Sequence, residues 1–402
     1  MPQTKRETVT AVSIEPRNYF GLSRSLRWAA AFVISLIAIW GTDIQADEVD
    51  VWIGSSQAGI YHFTLDTKTG KLSSPTIVSD STGAGFLALH PNGNVLYATD
   101  RVAGGSVAAF AIGDSDQGNP AGRKTLRLLS KLPTGDGGAA CVAIDPTGRV
   151  LTSAHYGGGS VSSYLVNPDG DLNQRVEVIE HGVGAGVVGK RQDNAHPHWV
   201  GTSPDNRFLM VPDLGLDRVV VYALDHASAE LKLHAKIEVP PGSGPRHMKF
   251  HPNGKYAYVL NELSLTVSVF EYGAEDASFK NIQLIETLSP EDKDRFLNSA
   301  AEIRVHPSGK FVYSSNRGHD SISVFSVDPS TGKLRFVEHE AIRGACPRNF
   351  NLDPSGKWLI AAGQHSNTLA LFEIDQTTGK LTFARKSLNV QAPICVLFGK
   401  DE

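Results

Sequence analysis

Six prolines mark a recurring turn in this 402-residue chain, and residues at fixed distances from them have side chains suited to chemistry. Six positions before Pro91, Pro146, Pro204, Pro252, Pro307 and Pro354 stand Gly85, Ala140, His198, Arg246, Ala301 and Arg348. Ten positions after them stand Arg101, Tyr156, Leu214, Glu262, Arg317 and Gln364, each preceded in turn by Asp100, His155, Asp213, Asn261, Asn316 and Gly363. Small or apolar residues would suffice for packing at strand ends. The middle and late repeats instead supply a histidine, arginines, a glutamate and several amides. The guanidinium forks of Arg246, Arg317 and Arg348 match a carboxylate or phosphate. Glu262 and His198 are candidate proton carriers. With no G-x-S-x-G elbow and no suitable cysteine nucleophile, attack by water or direct proton transfer is the natural chemistry. Opening an ester-like ring with water needs a base and positive groups facing the developing oxyanion, and both are present. Any one arginine could equally be a solvated or structural ion pair. A set drawn from several repeats and gathered on one rim fits a small-molecule site better.

The elements that must position these residues follow from the repeat. The turn recurs as HPNGN, DPTGR, SPDNR, HPNGK, HPSGK and DPSGK, its prolines 55, 58, 48, 55 and 47 residues apart. A short apolar strand precedes each turn and another follows it, as in VLYATD and YAYVLN. A third, alternating strand comes next, then a turn such as VDPSTGKL leading to a fourth. Four short strands per unit of about fifty residues, with no helical periodicity between them, predict an all-β propeller. The six turns give six blades. C-terminal APICVLF matches the first strand of a seventh, and VDVWIGS near the N-terminus matches its second. The two ends are therefore expected to share one blade and close the ring over residues 47–402, removing exposed sheet edges. In such a blade the first strand's start and the second strand's end lie at the same end of a hairpin, which gathers the residues above on one rim.

The stretch GVGAGVVGKRQDNAHPH, residues 182–198, admits three readings. Its GAGVVGK segment fits most of a phosphate-loop pattern, but Arg191 follows the lysine where Ser or Thr is needed, and a strand comes next. His196 and His198 could face one way as metal ligands, yet no third ligand stands at a suitable spacing, so no metal is assigned. The remaining reading is a Gly-rich lid over the opening. It would bring Arg191 near an anion, with His196 orienting its neighbour and His198 at the rim.

Composition fits an ordinary globular protein: 41% hydrophobic, 20% charged, and a formal charge of −4 that gives no general attraction to nucleic acid. Five basic residues (Lys5, Arg6, Arg17, Arg24, Arg27) precede an apolar run from Trp28 to Trp40, and Ala46 then precedes Asp47. Residues 1–46 read as a signal peptide or an N-terminal membrane anchor, and the protein as exported to the periplasm or beyond, touching a membrane only through that segment. Cys141, Cys346 and Cys395 all sit in short apolar runs where free thiols are the default, although a Cys346–Cys395 bridge is conceivable.

The segments AHPHWVGTSPDNRFLMVPDLGLDRVVVY, GPRHMKFHPNGKYAYVLNELSLTVSVF, AEIRVHPSGKFVYSSNRGHDSISVF and CPRNFNLDPSGKWLIAAGQ resemble the seven-bladed β-propeller lactonase family over essentially all of 50–399. That family includes propeller-type 6-phosphogluconolactonases and 3-carboxy-cis,cis-muconate cyclases. The resemblance implies an active site at His198, Arg246, Glu262 and Arg317. The wider rim supplies substrate-binding candidates in Arg348, His196, Asn261, Asn316, Asp213, Gln364 and Arg191. The expected function is general acid/base hydrolysis of a small anionic lactone, with Glu262 or His198 activating water. A lactonising cycloisomerase and a non-catalytic exported propeller that binds a small ligand or protein are the alternatives. No cofactor is expected, and the chain is expected to act as a monomer.

Overall fold

A computed structural model describes residues 48–399 apart from 81–82, 101–103, 115–123 and 296; the signal or anchor expected at 1–46 lies outside the described residues, as does Arg101. The described chain forms seven four-stranded antiparallel sheets. Blade 1 runs from inside to outside as Pro393–Phe398, Glu48–Ser55, Gly59–Asp66 and Thr76–Ser79, so the C-terminal strand is the inner strand of the blade that the N-terminal strands complete. Val51 pairs with Phe398 and Gly54 with Cys395 across that closure. The ring thus closes as the repeat predicts.

The other inner strands are Ala84–Leu89, Ala139–Ile144, Gly201–Thr202, Pro245–Phe250, Ser299–Val305 and Pro347–Leu352, in blades 2 to 7. Second strands are almost wholly buried, as in Val95–Asp100 and Phe208–Asp213, because both faces pack against neighbouring blades. Outer strands such as Leu231–Glu238 are mostly exposed, with half-buried residues alternating with exposed ones in their second half.

The recurring turn has a specific job. The histidine before the proline reaches the next blade's turn: His90 Nε2 lies 3.1 Å from the Gly148 carbonyl, His251 Nε2 2.9 Å from that of Gly309, and His306 Nε2 2.8 Å from that of Gly356. Each of these glycines has φ near +70°, and a Cβ there would press on the histidine ring. Where aspartate replaces histidine, its carboxylate folds back on its own turn, accepting from Val150 N at 2.8 Å in the case of Asp145. Buried tyrosines tie blades further out: Tyr97 donates to the Gly170 carbonyl at 2.6 Å, Tyr258 to Gly332 at 3.1 Å and Tyr313 to Gly379 at 3.0 Å.

Cys141, Cys346 and Cys395 are free thiols, so the conceivable Cys346–Cys395 bridge does not form. Burial pushes the Cys141 and Cys395 thiols up to about 12, where neither is an effective nucleophile.

Ring closure carries a direct consequence. Deleting residues 393–402 removes the inner strand of blade 1 and leaves Val51, Ile53 and the facing core residues Ile360 and Val390 without their cover. Loss of the cooperative thermal transition is expected, read by calorimetry or circular dichroism; a deletion variant melting within a few degrees of the full chain would contradict the closure.

Candidate active site

The inner strands do not run regularly into the rim. In blade 5, Pro245 pairs with Asn261 and His247 with Leu260, leaving Arg246 as the extra residue of a β-bulge. The same shift leaves Arg348 between Pro347 and Asn349 in blade 7, and Ala140 between Ala139 and Cys141 in blade 3. The position six before the proline is therefore a bulge in these blades, and a bulge re-aims its side chain away from strand alternation. The loop leading into Arg246 is held from below by Asp217, whose carboxylate accepts from Gly242 N at 2.6 Å and Gly244 N at 2.7 Å. Gly244, at φ +63°, lies against Leu263, where a side chain would not fit. Its carbonyl in turn accepts from Glu262 N at 2.7 Å, which fixes the acid opposite the arginine.

Glu262 sits at the centre of three arginines from three segments. Its carboxylate lies 3.3 Å from Arg246 Nε, 3.1 Å from Arg317 Nη2 and 2.5 Å from Arg191 Nη2. Arg246 is almost entirely buried, at 1% exposure, and so is Glu262 at 4%. Burial pushes the Glu262 carboxyl up, but Arg246, Arg317 and Arg191 together outweigh it and hold the group down to about 2. Arg246 Nη1 also reaches His198, 2.9 Å from Nδ1. Burial, then Arg246, His247 and Arg348, push the His198 imidazole well below its usual value, so it is neutral.

His198, Arg246 and Arg348 line a small, partly open cavity, together with Phe86, Thr99 and the small residues Gly85 and Ala140. The early blades, which carry no charged group here, thus contribute the space that the late blades' cations face. Tyr156 forms part of the wall beside it: its ring stacks on His196 at 4.4 Å and meets His198 edge-on at 5.4 Å.

The structure brings His198, Arg246, Glu262, Arg317, Arg348 and Arg191 together, and His196 adjoins them. His196 Nδ1 donates to the Tyr156 carbonyl at 2.6 Å, which makes it a support for the Tyr156 ring. Residues 182–192 are mostly exposed but pinned: Ala185 N donates to the Gly215 carbonyl at 2.7 Å, and buried Gln192 spans Val188 N and the Leu214 carbonyl. A three-residue 3₁₀ turn, Gly189–Arg191, then presents Arg191 to Glu262. The Gly-rich stretch is a tethered loop carrying an arginine, with no helix behind it to make a phosphate loop.

Four of the expected substrate contacts have other partners. Asp213 is fully buried; its Oδ1 accepts from the backbone of His196, Gly215 and Leu216, and its Oδ2 faces His181 Nδ1 at 2.7 Å. It shapes the loop and does not face the opening. Asn261 Nδ2 donates to Thr266 and Ser268, both at 2.9 Å, and Asn316 Nδ2 donates to Ser321 and Ser323 in the same register. Both amides close their own hairpins. Gln364 sits half-buried on the rim, its Oε1 3.8 Å from Cys346 Sγ. An Asn261→Ala variant should lose about 1–3 kcal/mol of stability, since it strands the buried Ser268 hydroxyl and takes one partner from Thr266. Its KM should stay within about twofold of the parent in steady-state kinetics.

Residues 50–398 match the family model described as lactonase, seven-bladed β-propeller. The chain belongs to that family. Among curated relatives, it is 36% identical to a 6-phosphogluconolactonase of Bacillus subtilis over 308 residues, covering 76% of this chain and 84% of the relative. It is 35% identical to a 6-phosphogluconolactonase of Formosa agariphila over 303 residues, covering 73% and 82%. Among solved structures, the periplasmic gluconolactonase of Pseudomonas aeruginosa superposes with a TM-score of 0.80 at 28% identity, covering 88% of this chain and 100% of that one.

Two residues of this lactonase propeller escaped the repeat reading. His247 lines the same cavity beside Arg246, and Glu302, fully buried in blade 6, lies 3.0 Å from its Nδ1. Both stand five residues before a turn proline, one place after the position singled out from sequence. Strand alternation would turn that place away from the axis whenever its predecessor faces it. The bulge lets both face inward.

Proposed function

We propose that this chain hydrolyses a small anionic lactone of the 6-phosphogluconolactone type at the axial depression, and that it does so outside the cytoplasm. The observation that carries the reading is the convergence of Arg246, Arg317 and Arg191, from three segments, on the Glu262 carboxylate. That leaves an excess of positive charge for a phosphate or carboxylate on the substrate and for the oxyanion formed at its carbonyl. The named activity of the two curated relatives, which cover 76% and 73% of this chain, supports the reaction class. Export is supported by the basic and apolar N-terminal segment and by the periplasmic neighbour.

In this reading Glu262 is the counter-charge that holds three guanidiniums in place. Held down to about 2, it is a weak base at neutral pH, which revises the expectation that it activates water. His198 serves the same assembly: its ring faces the Arg246 guanidinium and orients it toward the opening. Arg317 and Arg191, both more exposed than Arg246, are placed to meet the substrate's anionic group, while buried Arg246 is placed deeper for the carbonyl oxygen.

The test is selectivity. Steady-state hydrolysis of δ-lactones matched in ring but differing in charge should show kcat/KM at least tenfold higher for the phosphorylated or carboxylated member than for the neutral one. Raising the salt concentration should narrow that gap. Equal rates on charged and neutral lactones would remove the anion-binding role. Binding of the charged lactone without turnover would favour a recognition module.

A further inference from the structure

The cavity beneath Arg246 has a volume of about 10 Å³, room for one water molecule. His247 lines it, at 1% exposure. Nδ1 of its ring lies 3.0 Å from Glu302 Oε1, and among the described residues its buried Nε2 has no hydrogen-bond partner. A buried ring nitrogen left unpaired costs about 1–3 kcal/mol, so the site is complete only when something fills it.

Glu302 is built to remain a carboxylate. Its Oε2 accepts from Asn349 Nδ2 at 2.5 Å and from Arg304 Nη2 at 3.4 Å, and its Oε1 accepts also from Ile303 N at 3.0 Å. Burial pushes the carboxyl up, but Arg304, His247 and Lys249 hold it well below the usual range. An ionised carboxylate at Nδ1 requires the proton on that nitrogen, which leaves the Nε2 lone pair free. Burial, only partly opposed by Glu302, takes the imidazole down to about 4, so at neutral pH it is unprotonated at Nε2. The charged and titratable groups around it are Glu302, itself paired with Arg304, then Arg246, Lys249, Arg348 and the His198 ring, whose centroid lies 5.3 Å away.

We propose that His247 Nε2 holds the attacking water in this cavity and takes its proton, with Glu302 as the positioning residue that fixes the tautomer. The proposal rests on the lactonase reading and supplies the base which that reading lacks, since Glu262 and His198 are both committed to Arg246. The water oxygen forms a bond to the lactone carbonyl carbon as its proton passes to Nε2. The carbonyl π pair moves onto oxygen, facing Arg246. Collapse of that intermediate re-forms the carbonyl and breaks the ring C–O bond, and the imidazolium returns the proton to the leaving ring oxygen. The products are one hydroxyl and one carboxylic acid, which then ionises in water.

The experiment compares the full chain with His247→Ala, His247→Gln and Glu302→Gln on 6-phosphogluconolactone, with and without added imidazole. His247→Ala should lower kcat about 10²–10⁴-fold with KM within about threefold. Imidazole, fitting the space vacated, should restore at least about tenfold of the loss, which a structural role would not allow. Glu302→Gln offers an amide donor to Nδ1 and favours the other tautomer, so kcat should fall on the order of 10²-fold or more, again at near-constant KM. His247→Gln, which keeps a polar side chain of similar reach, covers the case in which the alanine variant does not fold. Either His247 variant with kcat within threefold of the parent would overturn the proposal. So would a loss in the folded alanine variant that imidazole leaves unchanged. No turnover by the parent chain would instead sink the lactonase reading itself.

Discussion

Arg246→Ala should lower kcat/KM by about 10³-fold or more while the chain still folds as a propeller. Removing one donor aimed at a developing oxyanion costs roughly 10²–10³-fold by itself. Here the same side chain also sets its neighbours. Its guanidinium bridges Glu262 at 3.3 Å and His198 at 2.9 Å, so its loss frees both to reorient across the opening. Arg246→Lys should recover little of the activity. A point ammonium cannot reach the carboxylate, the imidazole and the substrate oxygen at once as the planar fork does. The measurement is steady-state kinetics on an anionic lactone alongside a melting curve. An alanine variant within tenfold of the parent would remove Arg246 from the centre of the account.

The second large effect is on stability. Glu262→Gln keeps the shape of the side chain but leaves Arg246 and Arg317 facing one another across a buried site, with Arg191 above them. Breaking a buried ion cluster from one side typically costs about 3–5 kcal/mol, and the lower end applies because Arg191 is 43% exposed and screened by solvent. A drop of several degrees in Tm is expected, with a loss of activity as the arginines splay. The pH dependence follows from the same carboxyl. Its folded value, about 2, lies below its ordinary 4.5, so its stabilisation is fully present above 4.5 and is lost as pH falls through 2. Acid unfolding of the parent should therefore steepen between those values, and the glutamine variant should show a shallower dependence there. Equal acid profiles for the two would contradict the ion cluster.

How much of this could be read in the residues depended on which property the sequence repeats. The HPNG-type turn recurs because its histidine and glycine join successive blades, as His251 does at Gly309, so the blade count was legible from spacing alone. The closing strand was legible too, since APICVLF and VDVWIGS each carry half of a repeat. Repeat position placed Arg246, Arg348 and His198 at one cavity because it survives the bulges that aim the two arginines. His247 and Glu302 were not, because a bulge breaks the two-residue alternation that sequence reasoning assumes. Asn261 and Asn316 stood out for their polarity and proved to close hairpins. The available signal was the hydroxyl five residues on, Thr266 and Ser321, which a rim position meant for substrate would not need. Asp213 stood out in the same way, and its partners His196 and His181 lie 17 and 32 residues away in sequence, beyond the reach of local spacing.

Lactone hydrolysis is tested most directly by proton release when the purified full chain meets 6-phosphogluconolactone, with spontaneous ring opening subtracted. Hydrolysis with kcat/KM of about 10⁴ M⁻¹s⁻¹ or higher is predicted, in the range of ordinary enzymes. Release no faster than the spontaneous reaction, in a chain whose melting curve shows it folded, would contradict it.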